Sequence, residues 1–286
     1  MGSFSILNNI AGLSAQNQLN SNNIDLGRTL QRLASGKRIN SGADDAAGLQ
    51  IADSLYANVQ ALNQAARNAN DGISVAQISD GALQEITNVL TRAISLASEA
   101  STGTTDSTGR ASIDAEFSQI QAEIARIATQ TNFNGVAIFT AGGLNGSLSV
   151  FVGDLYANSS ISVSINTVGV NGTTVTNLGG QNLATVDLST QNGAVTALSV
   201  IKQALSGVST ARGVIGAGIN RLQASVAVMQ TQAENCQSAE STIRDANVAA
   251  EISNLTRYQI LEQSGMAALA QSNATQQSVL SLLKSV

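Results

Sequence analysis

Histidine, proline and tryptophan are missing from these 286 residues, and cysteine occurs once, as Cys236. Without histidine the chain lacks the side chain that most often titrates near neutral pH and most often ligates transition metals. Ser-His and Cys-His nucleophile systems and HExxH metallopeptidases are thereby excluded. One cysteine cannot close an intramolecular disulfide, so the fold draws no stability from an oxidising compartment. The lack of proline spares folding the slow X-Pro isomerisation, and it is also what long helices favour. Charged residues make up 12% of the chain, about half the usual share, and aromatics 3%.

The net charge of −5 argues against nucleic acid as the main partner. Its distribution is uneven. Residues 1–42 carry Arg28, Arg32, Lys37 and Arg38 against Asp25 alone, whereas 43–242 are acidic and 243–286 are balanced. The first residues, Met1-Gly-Ser-Phe-Ser-Ile-Leu7, have neither a charged leader nor a sustained apolar run. No signal peptide and no membrane span is expected, and export would use a route without a cleaved signal.

What the chain has is helical periodicity and room for about two domains. Leu55, Val59, Leu62, Ala66, Ala69, Ile73 and Ala76 step by four and three, the spacing of a helix packed on another helix. From Ile78 a second track joins it through Ala82, Ile86, Val89, Ala93, Leu96 and Ala100. Two tracks predict a long helix over about 46–100, covered on two sides. The polar stretch 101–109 breaks it, and a helix from about Ser112 to Thr129 follows.

From Asn132 short alternating runs such as Leu148–Val152 and Ile161–Ile165 read as strands, with turns at Asn145-Gly146 and Asn171-Gly172. Helical spacing resumes at Val195 and runs through Leu222, Met229 and Cys236, then from Val248 to Leu261. The fold class expected is mainly α: long antiparallel helices forming a coiled-coil-like core and rod, with a small β-hairpin-rich insert at 133–190.

The first 35 residues carry an apolar stripe through Ile6, Ile10, Leu13, Leu19, Ile24, Leu26, Leu30 and Leu33, opposite a face of Asn, Gln and Ser. An amide-and-hydroxyl face can be buried where each group finds a hydrogen-bond partner. Both ends are amphipathic and nearly uncharged, which points to segments ordered by packing with other chains.

No catalytic constellation is present, and no cofactor or metal is implied. Asp44-Asp45, the one adjacent carboxylate pair, sits with Ser41 where a helix starts at Ala46, favourable for capping and the macrodipole. Gly213–Gly218 lacks the Lys-Ser/Thr of a phosphate loop. Cys236 falls on the apolar stripe as a small core residue.

Two stretches are family-specific. Leu33-Ala-Ser-Gly-Lys-Arg-Ile-Asn-Ser-Gly-Ala-Asp-Asp-Ala-Ala-Gly-Leu-Gln-Ile-Ala52 resembles the N-terminal signature of bacterial flagellin. Ile243 to Gly265 and Val279-Leu-Ser-Leu-Leu-Lys284 resemble its C-terminal signature, and Thr131–Val136 and Val186–Thr190 resemble its intervening landmarks. The chain is similar to a short flagellin without the variable outer domains. It departs at Asn273-Ala-Thr-Gln-Gln, where the family's usual proline is missing.

The resemblance implies a discontinuous filament-core domain of 1–42 with 245–286, and a rod domain of 43–244 that includes the insert 133–190. It implies a secreted, extracellular subunit that assembles into the flagellar filament for swimming motility. Polymerisation contacts are expected at Ile6, Ile10, Leu13, Leu30, Leu33, Leu269, Val279, Leu280, Leu282 and Leu283. Arg32, Lys37, Arg38, Asp44 and Asp45 are expected to form a connector whose cations meet carboxylates of neighbouring subunits. Implied partners are further copies of the chain, an export chaperone, and cap and hook-junction proteins, with neither nucleic acid nor membrane. Host innate immune receptors are also implied: Gln31–Ala52 resembles a segment sensed by plant receptor kinases, and Arg92, Leu96 and Glu123 align with contacts to an animal Toll-like receptor. The alternatives are a hook–filament junction protein, which shares the terminal helices, and a secreted interaction module or immune ligand. The match over Asp44–Ala52 favours the filament.

Overall fold

The computed structural model describes residues 9–139, 147–165, 168–171 and 174–284. Five helices carry most of it: α1 Ile10–Ser35, α2 Ala46–Ala100, α3 Ser107–Gln130, α4 Gln191–Arg244 and α5 Val248–Lys284. Each start has a polar side chain on an otherwise orphaned backbone N–H. The Asn9 side chain accepts from Gly12 N at 2.8 Å, Asp45 from Gly48 N at 2.9 Å, Asp106 from Gly109 N at 2.7 Å and Thr190 Oγ1 from Gly193 N at 3.0 Å. Gly36, at φ 69°, closes α1 in the left-handed conformation that glycine adopts without strain.

The predicted span of α2 agrees with the structure. α3 starts five residues before the expected Ser112, because Asp106 caps a first turn with no apolar residue to announce it. α4 likewise starts at Gln191, before the apolar spacing resumes.

Between α3 and α4 lie three two-stranded antiparallel ladders: β1 Asn132–Phe133 with β2 Val136–Ala137, β3 Ser147–Phe151 with β4 Ser160–Ser164, and β5 Val168–Asn171 with β6 Thr174–Leu178. In the second, Leu148 faces Val163 and Val150 faces Ile161. β3 thus pairs across 152–159, and the turn expected at Asn145-Gly146 lies outside the described residues. The residues that connect β5 to β6, at 172–173, also lie outside them. A 3-10 turn, Leu183–Thr185, leads toward α4.

The chain divides into two compact units, residues 1–57 with 235–286, and residues 58–234. In the second unit Leu83, Ile86 and Leu90 of α2, Phe117 and Ile124 of α3, and Ile201, Val208, Ile215 and Leu222 of α4 are buried. The second apolar track on α2 begins later than Ile78, which is 40% exposed, while Val75 and Ser79 are buried beside it. Ser79 satisfies its hydroxyl by donating to Val75 O at 2.8 Å.

The β3–β4 ladder seats against helix positions that only glycine leaves open. A Cβ on Gly72 would lie 2.5 Å from Val150 Cγ2, and one on Gly218 would lie 2.7 Å from Val163 Cγ2. At Gly207 the backbone of Gly179, itself at φ 58°, comes close enough that any side chain would collide with it.

Candidate functional site

The first unit is built on the antiparallel pair α1–α5, and its buried residues are unusual. On α1 they are Gly12, Asn22 and Thr29, and on α5 Glu251. The line that faces α5 runs Gly12, Ala15, Leu19, Asn22, Leu26, Thr29 and Leu33, a seven-residue repeat with Gly12 and then leucine at one core position and small or polar residues at the other. Leu19, Leu26 and Leu33 are half-buried there. The α5 line, Glu251, Leu255, Tyr258, Glu262, Gly265, Leu269 and Ser272, has the same spacing and is equally polar.

Hydrogen bonds and one notch run along this seam in step. Asn9 Oδ1 accepts from Ser272 Oγ at 2.9 Å, and Asn22 Nδ2 donates to Tyr258 O at 2.8 Å. A Cβ at Gly265 would meet Leu19 Cδ1 at 2.8 Å. Arg32 lies 3.7 Å from Glu251. Positions that ascend on α1 descend on α5 without a slip.

Large apolar side chains face away from the seam. Ile10 is 73% exposed, Leu13 60%, Ile24 52% and Leu30 48%; on α5 Val248, Ile252, Ile260, Leu261 and Met266 are between 48% and 58% exposed. A shallow groove on α5 is lined by Ser253, Thr256, Arg257, Ile260 and Leu261. Of the residues expected to make polymerisation contacts, Ile10, Leu13 and Leu30 therefore stand free, while Leu33 and Leu269 belong to the seam within the chain. Ile6 lies outside the described residues. Val279, Leu280, Leu282 and Leu283 continue α5, with side chains outside the described set. Ile24, Ile252, Ile260 and Met266 share the exposure without having been singled out, although Ile24 lies on the stripe already recognised.

The connector is pinned to its own chain. Arg38 N donates to Arg244 O at 2.6 Å and Ala246 N to Gly36 O at 2.9 Å, with Lys37 bridged to Asp245 between them. The Arg38 guanidinium donates to Ile243 O at 2.8 Å, and Ile39 is buried. Asp44 accepts from the hydroxyl and N–H of Ser41 and from Asn40 N, which together hold its carboxyl below the ordinary carboxylate range. Asp45 caps α2. Arg32 reaches Asp44 at 3.9 Å as well as Glu251, so within the chain it already has two carboxylates. Arg244 pairs with Asp53 at 3.1 Å and Glu240 at 3.7 Å. Apart from Glu240, one helical turn before Arg244, these partners are far apart in sequence, and no local pattern announces them.

The candidate receptor residues lie in the second unit. Arg92 pairs with Glu116 at 2.7 Å. Glu123 pairs with Arg126, whose guanidinium lowers its carboxyl pKa. Leu96 is buried at 2% exposure. Cys236 is half-buried. Among the described residues no cluster of acidic or cysteine side chains could hold a metal, and no helix is long and apolar enough to cross a membrane.

This chain belongs to the bacterial flagellin family. Residues 6–142 match the bacterial flagellin N-terminal helical region and 198–283 the C-terminal helical region. Flagellin FlaB1 of Treponema pallidum (strain Nichols) is 34% identical over 287 residues, covering 98% of this chain and 99% of its own. The flagellin of Bacillus subtilis (strain 168) is 36% identical over 302 residues, covering 98% and 99%. A crystal structure of Bacillus cereus flagellin aligns with 61% of this chain and 94% of its own, at 25% identity and a TM-score of 0.49. The protein is a structural subunit of the flagellar filament.

Proposed function

We propose that this flagellin polymerises through the outward apolar side chains of α1 and α5, and that their occupant is the same pair of helices in neighbouring copies. The observation that carries this reading is the pair's burial pattern: nine large apolar residues are left exposed around a seam that buries Asn22, Thr29 and Glu251. Covering what is exposed of each contributes roughly 1 kcal/mol. Nine together reach about 10 kcal/mol, within the range of about 4–15 kcal/mol that association costs, and a helical polymer repeats the gain in each subunit.

On this reading, residues 1–42 with 245–286 form the filament core, the stretch 43–244 with its β-rich part 133–190 forms a separate domain, and the tail through Val279, Leu280, Leu282 and Leu283 adds to the polymer contacts. The subunit works outside the cell, after export with a chaperone, between cap and hook-junction proteins, and has no catalytic role. Host receptors would reach Arg92 and Glu123 at the surface but not Leu96, which favours weak recognition.

The test is to replace Leu13 and Ile260 separately by serine and measure the critical concentration for filament growth from seeds. Each is expected to raise it about tenfold while the melting of residues 58–234 stays at the parent value. Unchanged critical concentrations would remove these faces from the polymer contact.

A further inference from the structure

We propose that two features of α5, the notch at Gly265 and the carboxylate of Glu251, act with the backbone bonds that tie Gly36 and Arg38 to Ala246 and Arg244 to fix the register of the α1–α5 pair, and that this register assembles the outer apolar face a neighbouring copy meets. The inference rests on the polymerisation reading above and adds to it what sets the geometry of that face.

A seven-residue repeat of leucine and small polar residues does not specify its own alignment. Sliding one helix by seven residues returns core positions to core positions. Asn22 does not prevent this by itself, because it donates to a backbone carbonyl, and another carbonyl arrives with every slip. Gly265 does discriminate. It is the one glycine between Val248 and Lys284, and Leu19 occupies the space a side chain there would fill. A slip of seven residues sets Leu19 against Tyr258 or Ser272 instead.

Glu251 discriminates at the other end of the seam. It is buried, and Arg32 lies 3.7 Å away. The same slip offers Arg32 the side chain of Tyr258 or carries it past the start of α5, and parts the buried Glu251 from its cation, which is costly. The second Glu251 oxygen and Arg32 Nε already have no hydrogen-bond partner within the chain, so the pair has little to spare.

The register matters because the outer face is composite. Ile10, Leu13 and Ile24 come from α1, and Ile252, Ile260 and Met266 from α5. A slip of one heptad moves the second set by about 10 Å along the first, and a repeating partner then meets a different surface.

The experiment uses the full chain with Cys236→Ser and spin labels on cysteines placed at the exposed Gln18 and Gln271. Labelled subunits are co-assembled with excess unlabelled parent so that the measured distance lies within one chain. Gly265→Leu is expected to displace that distance by about 10 Å and, when assembled alone, to raise the critical concentration at least about tenfold. Glu251→Ala is expected to broaden the distance distribution in the same direction. Gly265→Ala asks only that the end of Leu19 rotate, and should stay near the parent. The reciprocal change, Leu19→Ala with Gly265→Leu, is expected to restore both readouts, and the melting of residues 58–234 guards against a folding defect. Parent-like distances in Gly265→Leu and Glu251→Ala would overturn the proposal, whether or not assembly is lost. A displaced distance combined with normal assembly of the outer-face serine variants would leave the register account standing and remove the polymerisation reading.

Discussion

Leu83, Ile86 and Leu90 on α2 are fully covered, whereas Ile10, Leu13 and Ile24 on α1, side chains of the same chemistry, are between 52% and 73% exposed. The difference lies in what the two units bury instead. The unit of residues 58–234 covers leucine, isoleucine, valine and alanine from three helices in one core, although Tyr156, Val195 and Val228 among others stay exposed. In the unit of 1–57 with 235–286 Ile39 and Ala52 are covered, but the α1–α5 pair covers glycine, asparagine, threonine and glutamate and leaves its larger apolar groups outside. A chain that spent its apolar surface inside would gain stability as a monomer and lose the means of holding a copy. On the polymerisation reading proposed above, the second unit is stable alone and the first in company.

The comparison breaks first where effects are largest. Leu83→Ala and Leu222→Ala remove fully buried side chains and should each cost about 2–5 kcal/mol. That loss should appear as a lower melting temperature of residues 58–234, read by calorimetry on the monomer. Losses below about 0.5 kcal/mol at both sites would mean that this unit is no better packed than the first.

A smaller effect sharpens the account of the first unit. Bonds from Ser41 and Asn40 hold the Asp44 carboxyl below its ordinary value. A group whose folded-state pKa is depressed contributes stability above its unfolded value, about 3.9 for aspartate. That contribution fades as pH falls through the depressed folded-state value. Asp44→Asn should therefore raise the critical concentration of polymerisation at neutral pH, with parent and variant converging in acid. A difference that persists undiminished in acid would place the effect of Asp44 elsewhere than in its charge.

Much of this was legible in the sequence, and the failures share a cause. The bounds of α2 could be read because its apolar tracks are continuous and Asp45 marks the start. The start of α3 could not, because Asp106 caps a turn without apolar residues, whereas Asn192-Gly193 marks the return to helix within a residue of the start of α4 at Gln191. The α1 stripe was visible, but Ile10, Leu13, Ile24 and Leu30 were pooled with Leu19, Leu26 and Leu33. Periodicity registers that a residue is apolar and not which chain will cover it. The seam became visible only once Asn22 was found buried against Tyr258. Arg32 with Glu251, and Arg244 with Asp53, are pairings between distant parts of the chain that no spacing rule encodes.

Hydrogen exchange compared between monomer and seeded filament tests the central contrast most directly. Backbone amides of α2 and α4 around Leu83, Leu90, Ile215 and Leu222 should exchange slowly in both states, because their protection comes from packing within the chain. Amides from Ile10 to Leu33 and from Ile252 to Met266 should exchange rapidly in the monomer and become protected only in the filament. Equal protection of α1 and α5 in a verified monomer would contradict the account, since the pair would then be complete without its neighbours.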